Sequence, residues 1–301
     1  MDLNVKIGNI TMSNPVGTAS GTFGFGEEYS ELIDLSKLGA IYTKALTPSP
    51  RDGNAVPRLT ETPSGILNSI GLANPGVDKF LADKVPFLDT VQCTVILNVS
   101  GSTEEEYIEV IKRTDHLNSL DGYEVNISCP NVKHGGLAFG TDPSQVQTLT
   151  AKLRKITKKP LIVKLTPNVT DISVIAKAAE AGGADAVSCI NTVRGMVIDT
   201  KKKKPVIPAG IAGLSGPAIR PVGVAAVYTV SRAISIPVVG LGGIMSANDA
   251  IEYLLAGASS IQVGTGLFVD PQLPIKVLHG IKEYMKQNEL KKISDFHSFI
   301  D

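Results

Sequence analysis

Eight short runs rich in Val, Ile and Leu recur along this chain, each followed by a longer stretch of helical or polar patterning. The runs fall at residues 14–20, 40–45, 94–100, 123–128, 161–166, 186–190, 237–241 and 260–264. Most lack strict alternation of apolar and polar residues. Strands of a parallel sheet buried on both faces read this way. Segments 27–38, 103–118, 143–157, 171–181, 216–233, 246–256 and 271–287 carry helical period or good helix starts, and 75–84 is a shorter candidate. Asp171 and Ser246 stand where N-caps are expected, and Pro143 and Pro271 each follow an Asp as a first-turn proline would. Gly-Ala or Gly-Gly-Ala recurs before strands, at Gly39-Ala40, Gly182-Gly183-Ala184 and Gly257-Ala258. Such a glycine is expected to close the preceding helix in a left-handed conformation.

A strand–helix alternation repeated eight times, with no break in composition, predicts one TIM (β/α)8 barrel spanning residues 1–301. An open doubly wound sheet is the structural alternative. No strand–GxGxxG–helix unit is present, which weakens a dinucleotide-binding reading. Lys plus Arg and Asp plus Glu both number 29, so the balanced charge argues for neither nucleic acid nor an anionic membrane as partner. The local exception, four lysines at 201–204, reads as a solvated loop. The three cysteines, Cys93, Cys129 and Cys189, are too widely spaced for a disulfide framework or a metal cluster, and reduced thiols point to the cytoplasm. The first residues lack the pattern of a secretory signal. No apolar run reaches the ~18–20 residues of a membrane span.

The polar residues at the strand ends are the informative ones. In order they are Ser20, Lys44-Ala45, Asn98, Asn126, Lys164, Asn191-Thr192, Gly242-Gly243 and Gly264-Thr265-Gly266. A closed barrel gathers these ends around one mouth, where enzymes of this fold keep their sites. Amides and ammonium groups inside apolar runs need partners, either one another or a ligand. The glycines after strands seven and eight let backbone N–H groups approach an anion and suit a phosphate. Lys164, aimed into the mouth, could stabilise charge on a reduced flavin. Gly21-Thr22-Phe23-Gly24-Phe25-Gly26 reads first as a turn. Cys129 lies on the loop after strand four, whereas Cys93 and Cys189 sit in or beside apolar strands and read as core. By position alone, Cys129 is equally a reactive thiol near lysines or a small residue before a proline turn.

Asn126-Ile127-Ser128-Cys129-Pro130-Asn131 resembles the active-site loop of class 1 dihydroorotate dehydrogenases. The likeness extends in order to Thr43-Lys44-Ala45, Asn68-Ser69-Ile70-Gly71-Leu72, Lys164-Leu165-Thr166-Pro167-Asn168, Asn191-Thr192 and the paired glycines of strands seven and eight. Asn131-Val132-Lys133-His134-Gly135-Gly136, and Gly140-Thr141-Asp142-Pro143 beyond, are similar to the B-type, NAD-linked branch. The resemblance implies an FMN barrel oxidising dihydroorotate to orotate in pyrimidine synthesis, with Cys129 as catalytic base. It implies FMN contacts from Ser20, Lys44, Ala45, Asn98, Asn126, Lys164, Ile190, Gly216, Gly242, Gly243, Gly264 and Thr265. Substrate would be held by Lys44, Asn68, Ser69, Ile70, Gly71, Leu72, Asn126, Asn191 and Thr192. No metal is implied. A partner subunit carrying FAD and a 2Fe–2S cluster would pass electrons to NAD+, in an assembly of two catalytic and two electron-transfer subunits.

The competing readings are an A-type homodimer using fumarate, a pyrimidine or tRNA-uridine reductase on a similar barrel, a Cys129–His134 hydrolase, and a non-catalytic scaffold. Cys129 and the short N-terminus argue against the membrane-linked class 2 enzymes.

Overall fold

All eight apolar runs form strands, and their order around the barrel is their order in the chain. A computed structural model describes residues 1–128 and 139–298. The barrel strands are Val16–Thr18, Ala40–Tyr42, Thr94–Val99, Gly122–Asn126, Leu161–Leu165, Ala186–Cys189, Val238–Leu241 and Ser260–Val263. Neighbours pair in parallel all the way round, and the eighth strand closes on the first through Ile261 opposite Val16. Closure removes both sheet edges and sends every C-terminal strand end to one mouth.

Helices α1 (Gly76–Asp83), α2 (Val85–Leu88), α3 (Glu104–Thr114), α4 (Pro143–Arg154), α5 (Ile172–Ala181), α6 (Arg220–Ser231), α7 (Ala247–Leu255) and α8 (Leu273–Gln287) lie between and after the strands. Their starts are written locally. Asp171 accepts the Ser173 N–H, Ser246 that of Asp249, and Asp142 those of Ser144 and Gln145 just ahead of Pro143. Strand starts are tied to the outer layer by carboxylates. Asp185 Oδ2 accepts the Leu161 N–H at 2.8 Å while pairing with Arg154 at 2.7 Å.

Three helix expectations need correction. Segment 27–38 is not an α-helix but two 3₁₀ turns, Glu27–Tyr29 and Leu35–Lys37. Between them Asp34 turns extended and its carboxylate takes the Ser36 N–H, a local bond that competes with helical continuation. Segment 216–233 starts its α-helix only at Arg220, because Gly216 is left-handed at φ 94° and a 3₁₀ turn, Pro217–Ile219, intervenes. Pro271 precedes α8 rather than opening it; Pro274 occupies the first turn.

The glycine rule also divides. Gly183 (φ 93°) and Gly257 (φ 112°) are left-handed, whereas Gly182 stays right-handed and Gly39 has no positive φ. At Gly39 the Asn14 carbonyl oxygen passes 1.9 Å from where a Cβ would stand, so close approach rather than backbone hand requires glycine.

The chain also builds a second sheet from two barrel loops. Strands Leu59–Thr62 and Gly65–Asn68, after barrel strand two, pair with Ala212–Ser215 and Val193–Gly195, after barrel strand six. Leu67, Ile207 and Ala212 give this antiparallel cap its own small core. A hairpin of Ile198–Asp199 with Lys204–Pro205 projects beyond it, and the lysines at 201–204 are exposed there as a solvated turn. A short hairpin, Val5–Ile7 with Ile10–Met12, precedes the barrel.

Candidate active site

At the mouth the fold assembles three groups of side chains and backbone. The first is a charged network inside the barrel. Within strands, residues two apart share a face, so Glu124 and Asn126 both point inward from strand four. Glu124 is 0% exposed. Its Oε2 accepts from Asn98 Nδ2 at 2.6 Å and lies 3.4 Å from Lys164 Nζ. Its Oε1 accepts from Ser188 Oγ at 2.9 Å and Gln262 Nε2 at 2.8 Å. Above them Ser20 Oγ meets Lys164 Nζ at 3.2 Å and Asn98 Nδ2 at 3.3 Å. Asn98 Oδ1 is buried and finds no partner among the described residues. Below, burial and the Glu124 charge push the Tyr42 phenol upward.

The second group is amide-rich. Asn126 Oδ1 accepts from Asn191 Nδ2 at 3.3 Å, and its backbone carbonyl accepts from Tyr107 at 2.8 Å. Asn191 Oδ1 takes the Thr192 N–H at 2.8 Å, and Asn168 Nδ2 donates to the Thr192 carbonyl at 3.0 Å. The cap sheet delivers Asn68, whose amide donates to the Gly213 carbonyl at 3.3 Å. Ser69 accepts from Asn54 Nδ2 at 2.8 Å, and the Ile70 carbonyl takes the Asn54 N–H at 3.0 Å. Gly71 and Leu72 are both left-handed, at φ 74° and 56°, a conformation uncommon for leucine.

Lys44 follows barrel strand two, at the same end of the barrel. No hydrogen bond or ion pair to another described residue holds its ammonium. Burial lowers its pKa from the ordinary lysine value, the Arg58 guanidinium adds to that, and Glu28 opposes it. Its backbone N–H is fixed to the Gly24 carbonyl at 2.6 Å, with Ala45 buried behind it.

The third group is a glycine cradle. Gly216, Gly242 and Gly243 are left-handed at φ 94°, 125° and 71°. A Cβ on Gly243 would stand 2.7 Å from the Gly216 carbonyl oxygen, and one on Gly216 would meet Thr265 at 3.5 Å, so the three loops touch. Thr265 Oγ1 donates to Ser215 Oγ at 2.9 Å, and Gly264 packs beside Ala19. Tyr253 of α7 donates to the Gly242 carbonyl at 2.7 Å from below, and Asp249 takes the Met245 N–H at 2.9 Å while paired with Arg220. The α7 N-terminus follows directly. Ile190 is buried, its N–H bonded to the Leu241 carbonyl at 3.0 Å.

The fold thus brings together Ser20, Asn98 and Lys164 by direct bonds, Asn126, Asn191 and Thr192 likewise, and Gly216, Gly243 and Thr265 by contact. Cys129, with His134 and the rest of its loop, lies outside the described residues. Burial pushes the Cys93 thiol up to about 12 and raises that of Cys189, which disfavours the thiolate at both. Sequence reasoning missed Glu124, Ser188, Gln262 and the Arg220–Asp249 pair. A glutamate two residues before Asn126 in an apolar strand was the available signal. Two clefts of about 430 and 540 Å³ sit at the opposite, N-terminal end, lined by residues such as Cys93 and His297, away from these groups.

A closed parallel barrel with glycine loops and a lysine–amide cluster at the C-terminal ends of its strands has the architecture of a barrel enzyme. Comparison with known proteins narrows this. A sequence profile of the dihydroorotate dehydrogenase family matches residues 2–285, and the chain belongs to that family, which is flavin-dependent. The dihydroorotate dehydrogenase B (NAD(+)) catalytic subunit of Thermoanaerobacter pseudethanolicus is 52% identical over 295 residues, covering 98% of this chain and 97% of that one. The proteins of that name from Pelobacter propionicus (51%, 98% and 97% covered) and Geotalea daltonii (50%, 98% and 96%) are similarly close.

The residues present fit a flavin phosphate. The cradle glycines pack so closely that a Cβ on Gly243 would strike the Gly216 carbonyl and the Arg220 backbone, which leaves main chain rather than side chains at the surface of the cradle, and among the described residues Asn98 Oδ1 has no partner. Among the described residues no helix is long and apolar enough to cross a membrane, and no cluster of His, Cys, Asp or Glu could hold a metal.

Proposed function

We propose that this chain oxidises (S)-dihydroorotate to orotate on a bound FMN in pyrimidine synthesis, and passes the electrons through a partner subunit to NAD+. The observation that carries this reading is convergence: the glycine cradle, the Lys164–Asn98–Ser20 cluster and the Asn126–Asn191 pair all lie at the C-terminal ends of one closed barrel.

Backbone N–H groups at Gly243, Gly264 and Thr265, with the α7 N-terminus, would hold the phosphate. Gly216 and Gly242 give the cradle its shape, and Ala45 and Ile190 would form the buried apolar wall. Ser20, Asn98 and Lys164 would hold the polar edge of the ring. When bound, the flavin supplies a hydride acceptor. Asn68, Asn126 and Asn191 each present a donor and an acceptor, which match a ureide edge. Ser69, Ile70, Gly71, Leu72 and Thr192 add a rigid backbone rim. Lys44 would complement the substrate carboxylate. Cys129, on the loop after strand four, would take the C5 proton as thiolate while the hydride leaves C6. General-base catalysis of this kind contributes typically ~10²–10⁴-fold.

The partner would carry FAD and a 2Fe–2S cluster, in an assembly of two catalytic and two electron-transfer subunits. The relatives' B-type (NAD(+)) names and the lack of a cluster or dinucleotide motif in this sequence support that division of labour. Free Cys93 and Cys189 suit the reducing cytoplasm.

The test is spectroscopic. The purified chain should be yellow, and anaerobic dihydroorotate should bleach it. NAD+ should be reduced only once the partner is added, and fumarate should not serve as oxidant. Cys129→Ser should keep its flavin and lose at least about a hundredfold in bleaching rate at neutral pH, since a hydroxyl is far less ionised than a thiol. A colourless chain that ignores FMN, or an unchanged rate in Cys129→Ser, would refute the respective assignment.

A further inference from the structure

Barrels of this kind are ordinarily filled with branched apolar side chains. Here a glutamate occupies the centre. Glu124 is 0% exposed and receives four donors, from Asn98, Lys164, Ser188 and Gln262 on the third, fifth, sixth and eighth barrel strands. Lysine and amide NH2 groups only donate, so this surrounding matches an acceptor-only carboxylate. Two of the donors, Lys164 and Asn98, also meet Ser20 at the mouth. Glu124 therefore stands one bond behind the groups that face the proposed flavin.

We propose that Glu124 is a positioning residue for the flavin reaction: it anchors Lys164 and sets how much of that ammonium's charge the flavin ring feels. This rests on the flavin reading above. Reduction adds negative charge to the ring. Lys164 favours that charge, and a carboxylate 3.4 Å behind its ammonium offsets the effect. The pair is nearly dry, with side chains 6% and 0% exposed, so solvent screens the balance little. Asn98 Nδ2, fixed on Glu124 Oε2 at 2.6 Å, leaves Asn98 Oδ1 unpartnered. The same carboxylate thus orients two residues at once.

The experiment is a redox titration of the flavin in the purified chain. Glu124→Gln keeps the shape and removes the charge. The unpartnered Gln262 Oε1 can turn to accept from the new amide. The variant's oxidised/reduced equilibrium should move at least tenfold toward reduced flavin, about 30 mV upward for a two-electron couple. Glu124→Asp, which restores the charge, should return most of the shift. A merely structural role would move stability without moving the potential. An unchanged or lowered potential in flavin-loaded Glu124→Gln overturns the proposal.

Should Glu124→Gln not accumulate folded, Lys164→Gln is compared with the double variant Lys164→Gln/Glu124→Gln, which has no buried charge left in the pair. The double variant should titrate at least tenfold toward reduced flavin relative to the single one; equality or the reverse sign overturns the proposal. Failure of every variant to fold, with the parent folded, assigns Glu124 to barrel architecture alone and also overturns it. A parent chain that takes up no flavin refutes the proposed function itself, before any variant is compared.

Discussion

Lys44 carries the clearest consequence for pH. Its ammonium is disfavoured by burial and by Arg58, so its folded pKa lies below the ordinary value of 10.5. Between those two values the unfolded chain holds the extra proton, and stability rises with pH across that window. Binding of a carboxylate substrate runs the other way, because it needs the charged form. The alkaline limb of kcat/KM for dihydroorotate is therefore expected to fall with a midpoint below the ordinary lysine value, and Lys44→Arg should move that limb upward. A flat alkaline profile in the parent would remove the charge role. The sequence made Lys44, Asn98, Asn126 and Lys164 legible because each is polar inside an apolar run. Glu124 has the same signature but sits in the middle of its strand, where a polar residue does not by itself point to the mouth. The register of three adjacent strands shows that its carboxylate joins Asn98 to Lys164.

Among the elements, the loop between barrel strand seven and α7 is tightly constrained. Gly243 is left-handed, and a Cβ there would sit 2.7 Å from the Gly216 carbonyl oxygen and 2.9 Å from the Arg220 backbone nitrogen. Gly243→Ala is expected to weaken FMN binding at least about tenfold, roughly 1.4 kcal/mol, measured by fluorescence titration of the apo chain. Gly210→Ala is the control: its φ is +77° with nothing within 4 Å, so it should cost stability and leave FMN affinity alone. Equal FMN affinity in both variants would remove the cradle from the binding site. At this scale the strands and most helices were written in the sequence through apolar runs and caps. Segment 27–38 has apolar spacing that suits a helix, but Asp34 and Ser36 make a local bond that periodicity does not register. The cap sheet was illegible for another reason. Its strands are three or four residues long, and the ladder that joins its two halves, Gly65–Asn68 with Ala212–Ser215, pairs residues more than a hundred apart.

At the scale of the whole molecule, the site depends on distant pairings. Lys164 reaches Ser20 across 144 residues of chain, and Asn68 reaches Gly213 across 145. A cofactor held by such contacts stabilises only the completed barrel, so excess FMN should raise the thermal midpoint. Flavin fluorescence release and loss of far-ultraviolet circular dichroism should share that midpoint. Flavin released well below the unfolding transition would locate it on a locally unfolding part instead.

The antiparallel cap has a bearing on how such a chain can change. It stitches the excursion after strand two to the excursion after strand six through Gly213–Asn68, Leu214–Leu67 and Ser215–Ile66. Trimming either excursion alone would leave the other with bare ladder groups above the mouth, an edge open to unwanted pairing. A change of length in one of these loops therefore bears directly on the pairing of the other, though they lie far apart in the chain.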